Sequence, residues 1–201
     1  MSPPLVFLKR NGGRLGISTE ALRTMQSYVQ REPGSHEAGG IMIGRYVDGG
    51  EDIVVDLVTG PLPGDRRSRF RFHRLKRSHQ AVLDREWRES GHTRTYVGEW
   101  HTHPEPDPSP SGIDLQDWRR RVQRDTFHGE ELHFVIVGQT HLRAWEMTRG
   151  SHQPTRLTYW GRAEQIVKTY LEEPHGEEIP EDNRPVSEHA ASERSQGTNE
   201  A

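Results

Sequence analysis

The feature that most limits how this chain can fold is the abrupt loss of apolar residues after Leu171. From Glu172 onward, Ile179 and Val186 are the only large aliphatics, and nine acids face two arginines. Such a segment cannot bury enough apolar surface to offset the entropy of ordering it, so disorder is expected for 172–201. Any core must come from residues 1–171. That is one domain of ordinary size and too short for a (β/α)₈ barrel of typical length. The division also accounts for the whole-chain values: a mean hydropathy of −0.94 and 30% hydrophobic residues look too polar for a compact domain until the tail is set aside. The net charge of −3 likewise combines a body of 25 bases and 21 acids, about +4, with a tail of about −7.

Within the body, hydrophobic periodicity sets out the elements. Residues 5–9 are a short apolar strand, Asn11-Gly12-Gly13 offers a turn, and Ser18 can cap a helix. Ala21, Leu22, Met25, Tyr28 and Val29 follow at helical spacing until Pro33-Gly34 stops the pattern. The runs 38–47 and 53–59, joined by Asp48-Gly49-Gly50, predict an antiparallel hairpin. Residues 61–67 read as a loop, Phe70-Arg71-Phe72 as a strand, and Leu75, Val82, Leu83 and Trp87 as one side of a helix ended by Gly91. A strand over 95–103 leads through a Pro-rich loop, 104–110, to a helix from Ser111 with Ile113, Leu115, Trp118 and Val122 on its buried side. Runs 132–137 and 142–147 make a second hairpin, 157–160 a last strand, and Ile166, Val167, Tyr170 and Leu171 a last helix. The order implies an α/β sandwich with a mixed, largely antiparallel sheet.

The absence of cysteine removes disulfides, cysteine zinc ribbons, iron–sulfur clusters and thiol nucleophiles together. Any metal must be held by His, Asp or Glu. No apolar run approaches the ~18 residues that cross a bilayer, and the first residues lack a signal-peptide pattern, so a cytoplasmic protein is expected, with no membrane partner. Lys9, Lys76 and Lys168 are the only lysines. The arginine bias reflects genome base composition as readily as anion binding, and no nucleic-acid partner is expected.

Chemistry concentrates between Gly98 and Asp114. On a strand, His101 and His103 point to the same face, so both imidazoles can reach one ion. Asp114, in the first turn of the next helix, can supply a third ligand beside the strand end. Two histidines and a carboxylate suit Zn²⁺ with a fourth position open for water. Each part alone has an ordinary reading: His-x-His is common surface decoration, and Ser111-x-x-Asp114 is a capping box.

The combination is far more specific. Glu37 precedes Gly39-Gly40-Ile41-Met42-Ile43-Gly44; then come His101-Thr102-His103-Pro104, seven residues at 104–110, Ser111, and Asp114. This constellation resembles the JAMM (JAB/MPN+) metalloprotease family and covers roughly residues 5–150. The resemblance implies an MPN/JAB (cytidine-deaminase-like) three-layer sandwich with helices flanking a mixed sheet. It further implies zinc held by His101, His103 and Asp114, Glu37 as the acid/base that holds the attacking water, and Ser111 as an oxyanion stabiliser. The order Gly98-Glu99-Trp100 departs from the Gly-Trp of many relatives and is similar to a bacterial branch found beside antiphage (CBASS) genes. In it Trp100 should turn away from His101 into packing. The lack of cysteine argues against the second, structural zinc site of some eukaryotic deubiquitinases. Segments 61–92 and 104–110 flank the site.

By this resemblance the expected activity is zinc-dependent isopeptidase cleavage after the C-terminus of a ubiquitin-like protein or of a conjugated nucleotidyltransferase tail, serving antiphage defence beside a ubiquitin-type activating and conjugating system. The alternatives are a processing peptidase for a sulfur-carrier ubiquitin-like protein and a non-catalytic MPN scaffold. The intact Glu37, His101, His103 and Asp114 set argues against the scaffold.

Overall fold

Side chains alternate across a strand and recur every three to four residues along a helix, so a sheet covered on both faces needs strands apolar on both sides. The computed structural model, which describes residues 4–47 and 50–162, has such a sheet. In chain order its elements are β1 (Leu5–Leu8), β2 (Arg14–Ile17), α1 (Thr19–Gln26), β3 (Gly39–Tyr46), β4 (Ile53–Val58), β5 (Arg66–Ser68) and β6 (Arg71–His73). Then follow α2 (Lys76–Glu89), β7 (Thr95–Thr102), α3 (Gly112–Arg124), β8 (Glu131–Val137), β9 (Leu142–Thr148), β10 (Thr155–Arg156) and β11 (Thr158–Arg162). The helix expected over 166–171 and the acidic tail lie outside the described residues.

Nine strands form one sheet in the order β10-β9-β8-β7-β3-β4-β2-β1-β11, while β5 and β6 pair only with each other. The large sheet is mixed and mostly antiparallel; β2 with β4 and β7 with β8 are its parallel pairs. Along β8, Leu132, Phe134 and Ile136 face Trp118 and Val122 of α3. Val135 and Val137 face the opposite way, into the cluster that holds Leu22 and Met25 of α1. Helix, sheet and helix thus stack as three layers.

The unit β7, α3, β8 positions the site. Parallel neighbours need a crossover, and α3 supplies it, bringing the helix start beside the C-terminal end of β7. Ser111 caps the helix: its hydroxyl accepts from the Asp114 amide, and the Asp114 carboxylate accepts from the Ser111 amide. Gly98 lets β7 approach β8 closely, since a Cβ there would lie 1.8 Å from the His133 carbonyl oxygen. Trp100 is buried as expected, its indole N–H donating to the Thr59 carbonyl at 2.8 Å.

Several expectations need correction. Helix α1 ends at Gln26, so Tyr28 and Val29 pack from the segment after it. Residues 61–67 are not all loop, because Arg66 and Arg67 start β5, and Arg14–Ile17 is a strand of the main sheet. On α2 the buried residues are His79 and Glu86, with Val82 and Leu83 only partly covered. His79 is held between the Thr59 hydroxyl at 2.7 Å and the Asp65 carboxylate at 3.0 Å. Ile113 is 49% exposed, so the buried face of α3 is carried by Trp118 and Val122.

Candidate metal centre and active-site groove

His101 and His103 leave the end of β7 on one face, and their Nε2 atoms come to 3.0 Å of each other. Asp114 reaches across from the first turn of α3, with Oδ1 at 3.3 Å from His101 Nε2 and Oδ2 at 3.4 Å from His103 Nε2. Donors bound tetrahedrally at ~2.0–2.1 Å lie about 3.3 Å apart; the two nitrogens and the carboxylate oxygen nearest each have that spacing, and one oxygen of Asp114 lies within 4.8 Å of both nitrogens, close enough for the three residues to share one small divalent ion. The donor chemistry agrees: two imidazole nitrogens and one carboxylate suit zinc better than the oxygen-seeking magnesium or calcium.

The electrostatics point the same way. Burial raises the Asp114 carboxyl, but hydrogen bonds from His101 and His103 outweigh it and hold the group far below the ordinary carboxylate range. Burial pulls the His101 imidazole down, whereas Asp114, Glu37 and Glu99 lift it to a net position above its usual value. Asp114 therefore stays anionic and draws positive charge to this spot.

Glu37 sits just before β3, whose Gly39 pairs with His101 in antiparallel register. It is 5% exposed, and burial, opposed chiefly by His101 and His103, raises its carboxyl to about 7. A carboxylate poised there can take and return a proton near neutral pH. Ser111 is exposed on the same groove. As a cap it accepts a hydrogen bond and leaves its own O–H free to donate.

These five residues line one groove of about 370 Å³, between the β5–β6 hairpin and the start of α3. All the site residues expected from sequence therefore meet in one place. The wall comes from the segment 61–92 expected to flank the site, and the residue not singled out from the sequence is Glu99. Residues 69–74 of the hairpin region line the groove together with Ile113 and Glu99, and Glu99 is bonded by Arg74 and lies 3.3 Å from the Arg121 guanidinium. Strand alternation already placed Glu99 on the face of His101, and that signal could have found it.

The family model described as prokaryotic homologs of the JAB domain matches residues 19–148. A protein of Pseudomonas aeruginosa named CD-NTase/cGAS isopeptidase is 35% identical over 144 residues, 69% of this chain and 85% of that protein. A Vibrio cholerae protein of the same name is 34% identical over 135 residues, 67% of this chain and 83% of the relative. A probable metalloprotease of Sinorhizobium fredii, y4qB, is 34% identical over 88 residues, 43% of this chain and 53% of the relative.

Proposed function

The chain belongs to the prokaryotic JAB-domain family, and from that premise and the geometry of the groove we propose that it is a zinc-dependent isopeptidase acting on a conjugated C-terminus. The observation that carries this reading is the meeting of the His101, His103 and Asp114 donor atoms at 3.0–3.4 Å beside the buried carboxyl of Glu37. The substrate is an amide joining the C-terminal residue of a CD-NTase, or of a ubiquitin-like protein, to an amine on a target. The names of the P. aeruginosa and V. cholerae relatives support the CD-NTase version; the cytoplasmic role in antiphage defence beside a ubiquitin-type conjugating system belongs to the proposal through the Gly98-Glu99-Trp100 resemblance alone.

His101, His103 and Asp114 would hold the ion. Zinc bound there would supply a Lewis acid that polarises the scissile carbonyl and lowers the pKa of an attacking water towards ~7. Glu37 orients the water and accepts one of its protons as oxygen bonds to the carbonyl carbon. The Ser111 O–H donates to the carbonyl oxygen as negative charge gathers on it. Glu37 then delivers the proton to the amine nitrogen, the C–N bond breaks, and the new acid passes its remaining proton to the amine, so that a carboxylate and an ammonium group leave.

The test is Glu37→Gln, assayed on a CD-NTase C-terminal tail joined through its last residue to a reporter protein. The amide leaves the three ligands in place but cannot accept a proton, so cleavage should fall by at least ~10²–10⁴-fold while zinc content stays at the wild-type level. Wild-type cleavage by a zinc-replete Gln variant would remove Glu37 from the mechanism.

A further inference from the structure

Glu37 lies outside the regular strands, on the segment that runs from the end of α1 into β3. A proton-transfer group on such a segment needs something to hold it, and the structure supplies two holds from opposite sides. The inner one is Gln30, 1% exposed, whose carboxamide touches three separate parts of the site. Its Nε2 donates to the Ser35 carbonyl at 3.0 Å, two residues before Glu37, and to the Arg69 carbonyl of the hairpin at 2.8 Å. Its Oε1 accepts from the Thr102 hydroxyl at 3.1 Å, and Thr102 stands between the two histidines. Thr102 Oγ1 in turn accepts from the Ala38 amide at 3.0 Å.

The outer hold is Arg67 on β5. Its Nε donates to the Glu37 carbonyl at 2.6 Å and its Nη2 to the His36 carbonyl at 3.1 Å. The guanidinium also lies over the Tyr28 ring, 5.8 Å from its centre, and Tyr28 packs against Trp100. The neighbouring Ser68 carbonyl accepts from the Glu37 amide at 2.8 Å. The Phe72 amide bonds the Glu37 carboxylate, and the Phe72 ring covers Gly39 so closely that a Cβ there would lie 2.6 Å from it. The Glu37 main chain is thus bonded through both its N–H and its C=O to a hairpin that is no part of the large sheet.

We propose that Gln30 and Arg67 are positioning residues that clamp the Glu37 segment at the right distance from the histidine end of β7. Neither touches the reacting atoms. Gln30 fixes the segment, the hairpin and the ligand strand to one buried carboxamide, and Arg67 locks the two carbonyls that flank the Glu37 Cα. The inference rests on the role given to Glu37 above. An ångström-sized error in placing a proton-transfer group can cost up to ~10²-fold. The loss should therefore appear in kcat, with substrate affinity and metal content unchanged.

The experiment compares Arg67→Ala, Arg67→Lys and Gln30→Met with wild type and with Arg66→Ala, an exposed neighbour on the same strand. Each zinc-loaded protein is assayed on the CD-NTase-tail reporter fusion, and exchange of the Glu37 amide is followed. Arg67→Ala and Gln30→Met should lower kcat by roughly 10- to 100-fold, with KM within about twofold and Glu37 amide exchange faster. Arg67→Lys should recover part of the loss, and added guanidinium should partly rescue Arg67→Ala. A buried carboxamide can be costly to replace, so Arg67, which is exposed, keeps the idea testable if Gln30→Met does not fold. A kcat for Arg67→Ala equal to that of Arg66→Ala, or a loss confined to KM, overturns the clamp. If Glu37→Gln is inactive while Arg67→Ala is fully active, only this inference fails; if Glu37→Gln is active, the proposed mechanism fails first.

Discussion

His101, His103 and Asp114 face an open groove, whereas Glu131, His133 and Glu146 lie beneath the turn that follows β1, although each trio brings three ligand-type atoms within 4.8 Å of one another. The second trio has a cation of its own. Lys9, whose side chain is 0% exposed, places Nζ at 2.7 Å from the Glu131 carboxylate and at 2.7 Å from the Glu51 carbonyl. The Arg10 amide bonds Glu146 at 3.0 Å. Burial and the nearby Lys9 charge push the His133 imidazole down to about 4, so it stays neutral, with Nδ1 directed at the Val97 carbonyl. At the first trio no lysine or arginine is paired with Asp114 among the described residues; its partners are the two histidines and the Ser111 amide. Three convergent donors are therefore not enough to mark a metal centre. What distinguishes the two is whether the chain already supplies the positive charge and whether a ligand can enter.

The largest effect should come from removing that internal cation. Lys9→Met keeps the volume but leaves Glu131 with a lost partner. Breaking a buried pair costs about 3–5 kcal/mol, and we expect about 3 because Glu131 keeps 19% of its side chain exposed. Urea unfolding measures this, and the folded variant should bind added zinc as wild type does. A stability loss below about 1 kcal/mol would mean that Lys9 does not anchor the second cluster.

A smaller effect follows from pH. His133 titrates near 4 when folded and near ~6.5 when unfolded, so between those values the unfolded chain binds more protons. Its contribution to stability is complete above pH ~6.5 and is lost as pH falls towards 4. His133→Asn, which keeps a donor towards Val97 and does not titrate, should show a shallower fall in melting temperature over that window. Equal slopes would show that His133 is protonated alike in both states.

The smallest effect is expected at the groove. Ile113→Ala should change stability by no more than about 0.5 kcal/mol, because the side chain is half exposed. It should weaken substrate affinity, read as a rise in KM. A loss of several kcal/mol would restore Ile113 to the core.

The corrected Ile113 shows what the sequence could reveal and what it could not. Both hairpins, the His-x-His strand and the capped α3 were legible because their patterns are local: alternation, a turn, a cap. Ile113 carries the helical spacing of a core residue yet lies at the groove mouth, and spacing alone cannot tell a core from a binding surface. The β5–β6 hairpin was half hidden for the opposite reason, since Arg66–Ser68 is exposed and polar and owes its form to contacts with a segment some thirty residues earlier. Gln30 and Lys9 were invisible for the same cause. A buried polar side chain announces itself only through partners distant in sequence, and here those partners are Arg69 and Thr102 for one, Glu51 and Glu131 for the other.

If a metal binds, the open trio should hold it, and not the one balanced by Lys9. Calorimetric titration of zinc into metal-free wild type, His103→Ala and His133→Asn tests it directly. Wild type should take up one tight equivalent, His133→Asn should do the same, and His103→Ala should lose it. Tight binding that survives His103→Ala and disappears in His133→Asn would contradict it.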